Sequence, residues 1–267
     1  MIAAPVSRWL LNTFPTWLLA IVVVGGIAAL AAAGQYAVRR RWTHTADGEH
    51  NDVAGVALGL IGAVYGIVLA FVIVALYEQF QDADANVREE ATEVSQIYRV
   101  SRAFPLAVAD EIRGELVDYV ETVVGPEWKL MAEGEFSARA WQDVDALYET
   151  FQAYEPQTER ESAFYGEAVS KLDELVAARR QRLHAAEESL PVPFQVMIIG
   201  GALVLIGFMY FVGLASARVQ MTMTIGVAAL IAFNLLLIVL LDHPFSGGVG
   251  VSDRAFHEGA LAHLVRE

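Results

Sequence analysis

Four segments of this chain contain no charged residue over at least 20 positions each: Trp17–Tyr36, Val53–Tyr77, Phe194–Ala215 and Thr222–Leu241. As helices, at about 1.5 Å rise per residue, each is long enough to cross the roughly 30 Å of hydrocarbon in a bilayer. Four core helices of a soluble protein are the competing reading, but such helices normally keep a polar stripe and these do not. The first segment also invites a reading as a secretory leader, with Ala31-Ala32-Ala33 supplying small residues for cleavage. Its apolar stretch exceeds the roughly 7–15 residues of a leader core, and Arg39-Arg40-Arg41 follow like a stop-transfer signal, so it is read as a retained span.

Between the second and third spans lies Glu78–Pro193, with 11 basic and 25 acidic residues. That imbalance equals the net charge of −14 for the whole 267-residue chain. Apolar residues recur there at helical spacing in four stripes: Val87, Ala91, Val94, Tyr98; Ile112, Leu116, Tyr119, Val123; Trp141, Val144, Tyr148, Phe151; and Phe164, Ala168, Leu172, Leu175, running on to Arg179. Pro105, Gly125-Pro126 and Glu155-Pro156 punctuate them. The expected fold is an all-α membrane protein: four transmembrane helices with an acidic helical bundle inserted between the second and third. The expected divisions are spans at 17–36, 53–77, 194–215 and 222–241, a soluble region at 78–193 and a soluble tail at 242–267. No Gly or Pro stands between Gly66 and Phe104, so the second helix should run out of the bilayer unbroken and join the bundle rigidly. Pro191 and Pro193 mark re-entry. Asp242-His243-Pro244-Phe245-Ser246-Gly247-Gly248 reads as a flexible loop, with Ser252 capping a short helix that reaches Leu264.

Several chemistries are excluded or unsupported. Zero cysteines rule out disulfides, thiolate zinc sites, iron–sulfur ligation and Cys nucleophiles. The acidic balance argues against a nucleic-acid partner, which requires clustered cations. His257 and His263 fall on different faces of a helix, His257-Glu258 lacks the second His of a zincin motif, and the glycines of Gly247-Gly248-Val249-Gly250 follow no strand. No Ser-centred elbow or paired intramembrane carboxylate occurs. The reading is therefore of a non-enzyme without cofactor or metal site. Asn234, deep in the fourth span, is expected to bond across to a neighbouring helix. Tyr65 and Tyr210 should be satisfied by neighbouring backbone or by each other.

Four spans put both termini and the acidic region on one side. The short connections opposite carry Arg39, Arg40, Arg41 and Arg218. The positive-inside rule then leans toward an extracytoplasmic acidic region, although Arg8, Arg179, Arg180 and Arg182 count the other way.

The second span carries the most information. Gly55, Gly59, Gly62, Gly66 and Ala70 recur every three or four residues, giving a backbone-thin face on which another helix can pack closely. The adjacent face carries Ala63, Ile67 and Phe71 at successive i+4 positions. Repeated around an axis, this strip would form a hydrophobic constriction that gates by dewetting. Tyr77, Glu78, Phe80, Asp82 and Asp84 follow; acidic side chains there would concentrate cations at a pore mouth.

The run Leu69-Ala70-Phe71-Val72-Ile73-Val74-Ala75-Leu76-Tyr77-Glu78-Gln79-Phe80-Gln81-Asp82-Ala83 resembles the second-helix segment of bacterial bestrophins. Shared features are a small residue followed by Phe, a Tyr six further on, then an acidic residue, an aromatic and acidic-Ala. Asn51-Asp52-Val53-Ala54-Gly55, Leu172-Asp173-Glu174-Leu175 with Arg179-Arg180, and Asp242-His243-Pro244-Phe245 extend the resemblance, over nearly the whole chain, to an uncharacterised bacterial family with a bestrophin-like domain. Bestrophins are pentameric ion channels with an apolar neck on the second helix and a cytosolic soluble domain. The resemblance implies a homo-oligomer in the bacterial plasma (inner) membrane that passes inorganic ions through a neck at Ala63, Ile67 and Phe71. Gln79-Phe80-Gln81 replaces a frequent Arg-Trp-Trp, and Ala63 is a small first neck residue. The alternative is a non-conducting scaffold or sensor whose acidic region binds a partner or divalent cations.

Overall fold

A computed structural model of the chain describes residues 3–41, 51–212 and 216–264, and helices are the only regular elements among them. In order these are α1 (Ala3–Thr13), α2 (Thr16–Arg41), α3 (Asn51–Val100), α4 (Leu106–Thr122), α5 (Trp128–Glu133), α6 (Ala138–Ala153), α7 (Glu159–Glu187), α8 (Val192–Phe211), α9 (Ala217–Leu241) and α10 (Leu261–Leu264). Apolar windows long enough to cross a membrane fall in α2, the first part of α3, α8 and α9. The protein is thus an all-α, multi-pass membrane protein. Most of the connection expected between the first two spans (42–50), and the last residues of the third (213–215), lie outside the described residues. Packing divides the chain into two compact units: Met1–Glu78 with Ser189–Asp242, and Gln79–Glu188 with His243–Glu267. Helix α3 is unbroken and contributes to both, as the absence of Gly and Pro after Gly66 predicts.

In the first unit α2 packs chiefly along α9, and α8 touches both. Small residues permit the close approaches. A Cβ at Gly34 would lie 2.5 Å from the Tyr210 hydroxyl, and one at Gly201 would lie 2.5 Å from the Tyr65 ring. Tyr65, Leu69, Val72 and Leu76 of α3 form an apolar cluster with Ile198, Ala202 and Leu205 of α8 and Ile231 and Ile238 of α9. The Tyr65 hydroxyl donates to the Ile198 carbonyl at 2.9 Å, so a neighbouring backbone satisfies it. Asn234 corrects the expectation of an interhelical bond: its Nδ2 donates to the Leu230 carbonyl of its own helix at 2.8 Å. A polar group instead links α2 to α9 near their ends. Arg39 Nη1 donates to Gln220 Oε1 at 2.7 Å, and Thr224 Oγ1 lies 3.4 Å from Gln35 Oε1. Gly201→Ala must displace the Tyr65 ring and is expected to cost about 1–3 kcal/mol. Thermal melts in detergent should show this loss, with no change for Gly200→Ala, whose Cβ meets nothing within 4 Å.

The second unit is a helical bundle whose core gathers the predicted stripes. Val87, Val94, Ile112, Leu116, Tyr119, Val123, Leu172 and Leu175 have no exposed surface. Phe104, extended ahead of Pro105, separates the 3-10 turn Ser101–Ala103 from α4. Thr158 caps α7, accepting from Glu161 N at 3.1 Å, while Glu161 Oε2 accepts from Gln157 N at 2.9 Å.

Two expectations need correction. Gly125-Pro126 does not end a helix; it sits in a π turn, Val123–Glu127, that carries α4 into α5. Pro126 has no N–H to give to the ladder, and the widened turn accommodates it. Nor are residues 243–261 a flexible tail. Phe245, Val251, Phe256 and Leu261 are buried in the core of the second unit, with Phe245 edge-on to Trp128 at 5.8 Å. The glycine run is explained by this packing: a Cβ at Gly250 would sit 2.8 Å from the Pro244 carbonyl oxygen. Ser252 caps only a 3-10 turn, Asp253–His257, because Gly259 at φ 63° breaks the path before α10.

Candidate pore-lining face and a buried charge cluster

Helix α3 buries one side and leaves the other open. Tyr65, Leu69, Val72 and Leu76 define the buried side. At about 100° per residue, the strip Ala63, Ile67, Phe71 is centred about 170° away. Ala63 is exposed, Ile67 is 58% exposed and Phe71 is 73% exposed. Gly55, Gly59, Gly66 and Ala70 lie on a third face, about 90° from the buried one. A Cβ at Gly55, Gly59 or Gly66 would meet nothing within 4 Å; at Gly62 it would touch only Leu205, at 3.6 Å. The acidic residues beyond divide by register. Glu78 and Asp82 fall within about 20° of Phe71, whereas Tyr77 and Asp84 fall on the glycine side. Asp84 is also engaged by Arg88, one helical turn on, in an ion pair.

A constellation missed from the sequence lies in the second unit. Glu90 of α3, Glu127 of the π turn, and Arg179 and Arg182 of α7 are all fully buried. Arg179 grips Glu127 bidentately at 2.7 and 2.6 Å. Arg182 grips Glu90 through Nε at 2.5 Å and Nη2 at 2.9 Å, and its Nη2 also donates to Glu127 at 2.8 Å. The Tyr119 hydroxyl of α4 donates to Glu90 Oε1 at 2.5 Å. The Arg179 guanidinium lies 4.9 Å from the Trp141 ring centroid, and that of Arg182 lies 5.8 Å from Trp128. Two carboxylates and two guanidiniums cancel, and forked geometry satisfies most of their hydrogen bonds. Burial alone would raise the Glu127 pKa, but hydrogen bonds and charge from Arg179 and Arg182 outweigh it and hold the carboxyl below its ordinary range. Burial, together with the Glu90 charge, pushes the Tyr119 hydroxyl well above its usual value. Arg179 and Arg182 stay protonated, burial being overcome by the surrounding acidic groups. The cluster ties together four stretches of chain. A sequence signal existed: Arg179 and Arg182 occupy core positions of the α7 stripe, and Glu90 neighbours Val87, Ala91 and Val94. A charge at a core position asks for a buried partner.

Among the described residues no three His, Asp or Glu side chains converge on a point that could hold a metal ion. His257 lies 3.3 Å from Asp253, one turn away.

The fold is similar to crystal structures of a bacterial bestrophin homologue from Klebsiella pneumoniae. One variant aligns with a TM-score of 0.66 at 15% identity, over 91% of this chain and 96% of that chain. Another aligns with a TM-score of 0.62 at 17% identity, over 93% and 94%. A protein described only as a membrane protein aligns with a TM-score of 0.60 at 15% identity, over 91% and 96%. These likenesses are of fold. No curated protein sequence matches the chain. The model of the Bestrophin-like domain matches residues 25–256, most of the chain, and the protein is therefore a member of the bestrophin-like family.

Proposed function

We propose that this protein is a homo-oligomeric ion channel of the bacterial inner membrane, pentameric as the family resemblance implies, with copies of α3 gathered around the axis. The observation that carries this reading is the open apolar strip of α3. Ile67 and Phe71 are 58% and 73% exposed, directly opposite the side that packs on α8 and α9. Lipid would accept such a strip, but lipid gives no reason for a glycine face beside it. A neighbouring copy does, because a backbone-thin surface lets helices approach closely. Ala63, Ile67 and Phe71 then form the neck, and Glu78 and Asp82, in register with Phe71, draw cations to its mouth. Tyr77 and Asp84 belong in this arrangement to the contact between copies rather than to the mouth.

The glycine face is tested by Gly66→Leu. Nothing lies within 4 Å of a Cβ there, so the fold of one chain should tolerate the change. Size-exclusion with light scattering should show smaller particles than wild type; an unchanged particle mass would remove Gly66 from the contact.

The acidic unit faces the extracytoplasmic side in this proposal. The lean rests on Arg39, Arg40, Arg41 and Arg218 in the short connections opposite, set against Arg8, Arg179, Arg180 and Arg182 on the side of the acidic unit. An impermeant maleimide should label Glu155→Cys in intact spheroplasts; labelling only after lysis reverses the orientation.

A further inference from the structure

Helix α1 is outside every role given so far. Its 11 residues span only about 16 Å, too short to cross a bilayer, and the 26 residues of α2 need no help to do so. Leu11, 4% exposed, packs against the protein, yet Val6 is 56% and Trp9 59% exposed. By helix period, Pro5, Val6, Trp9, Leu10 and Thr13 form one largely apolar arc, while Ser7, Arg8 and Asn12 sit outside it. The arc continues into a known apolar surface. Phe14 stacks edge-on against Trp9 at 6.0 Å, Pro15 turns the chain, and Trp17, Ile21 and Val22 on the span α2 are 66%, 63% and 60% exposed. Two tryptophans and a phenylalanine thus collect where a membrane span begins, the position at which aromatic rings favour the boundary between headgroups and acyl chains.

We infer that α1 is an interfacial anchor, lying in the headgroup–acyl boundary with Val6, Trp9 and Thr13 immersed in lipid and Asn12 toward water. The inference is independent of whether the protein conducts. Its occupant is lipid because the arc is continuous with the exposed apolar side of the span α2 and its aromatic rings collect where that span begins; a second copy of the chain is the competing occupant.

The test uses the full chain, which has no cysteine to remove. Single cysteines at Val6, Trp9, Thr13 and Asn12, all exposed, carry nitroxide labels in vesicles of phosphatidylethanolamine and phosphatidylglycerol. Collisions with oxygen should exceed those with a water-soluble nickel chelate severalfold at 6, 9 and 13, and the order should invert at 12. A chelate-dominated signal at 6 and 9 would place the arc in water, and low collisions with both would place it under another protein surface; either overturns the inference. A label-free check is quenching by brominated lipid. Trp9→Phe should lower the quenchable share of the emission, and an unchanged share would contradict immersion.

Discussion

Replacing Arg182 by methionine is expected to destabilise the acidic unit by about 3–5 kcal/mol, because it leaves the Glu90 charge with only the Tyr119 hydroxyl and Glu127 with one grip fewer, both in the core. Arg182 and Glu90 have no exposed surface, so water cannot substitute for the lost donors. Against total stabilities of about 5–15 kcal/mol such a loss is severe, and thermal melts should shift down by about 10 °C or more. Trp128 and Trp141 lie beside the two guanidiniums and report on the site by fluorescence. Lysine at 182 should recover little, since an ammonium cannot span Glu90 and Glu127 with a planar fork. The informative control is Glu90→Met with Arg182→Met. It removes one neutral pair while Arg179 keeps its two bonds to Glu127, and should recover most of the loss. A double variant as unstable as the single one would mean that the pair acts through packing alone.

The same cluster sets an acid limit. Glu127 has a folded pKa below its unfolded value of about 4.3, so its contribution is fully present above that value and is lost as pH falls through the folded pKa. Glu93 and Glu115 have the opposite sign. Burial raises both, opposed by Lys171 and Thr150 respectively, with neighbouring carboxylates adding to the rise. They destabilise the folded unit at neutral pH and cease to do so as pH falls through their raised values. Stability should therefore rise slightly on mild acidification and fall below about pH 4; a monotonic decline from pH 7 would contradict this balance.

The second large effect is expected at Phe71. In planar bilayers, Phe71→Ala should raise the current. Removing the ring widens the strip at its broadest residue and lets water persist in the neck. A barrier lowered by about 1.4 kcal/mol corresponds to about a tenfold increase. Reversal potentials in a salt gradient should favour cations, and Glu78→Gln with Asp82→Asn should weaken that preference. Intact oligomers that stay silent, with alanine or phenylalanine at 71, would favour the scaffold reading.

How far these features could be read in advance depended on how local their cause is. The spans follow from uninterrupted apolar length, and the length of α3 from the lack of Gly and Pro after Gly66. The bundle stripes were legible because burial repeats with the helix period. Three things were hidden. Gly125-Pro126 looks like a stop, but a π turn absorbs the missing donor, and only the packed bundle determines that choice. Gly247, Gly248 and Gly250 look flexible, because the contact of Gly250 with Pro244 depends on a fold-back that leaves no periodic trace. The charge cluster is half visible in the sequence: Arg179 falls at the end of an apolar stripe, but its partner Glu127 is 52 residues away. On α3, periodicity defined the strip and the glycine face. The structure added that α8 and α9 cover neither, apart from the touch of Leu205 on Gly62.

The central claim, that copies of α3 meet around an axis with Phe71 inward, is tested most directly by placing the protein's sole cysteine at that position. Phe71→Cys in native membranes should form covalent dimers with copper-catalysed oxidation or a short bis-maleimide. Leu203→Cys, 67% exposed on α8, should not. Monomeric Phe71→Cys under conditions that cross-link Leu203→Cys would show that residue 71 faces lipid and would end the channel account.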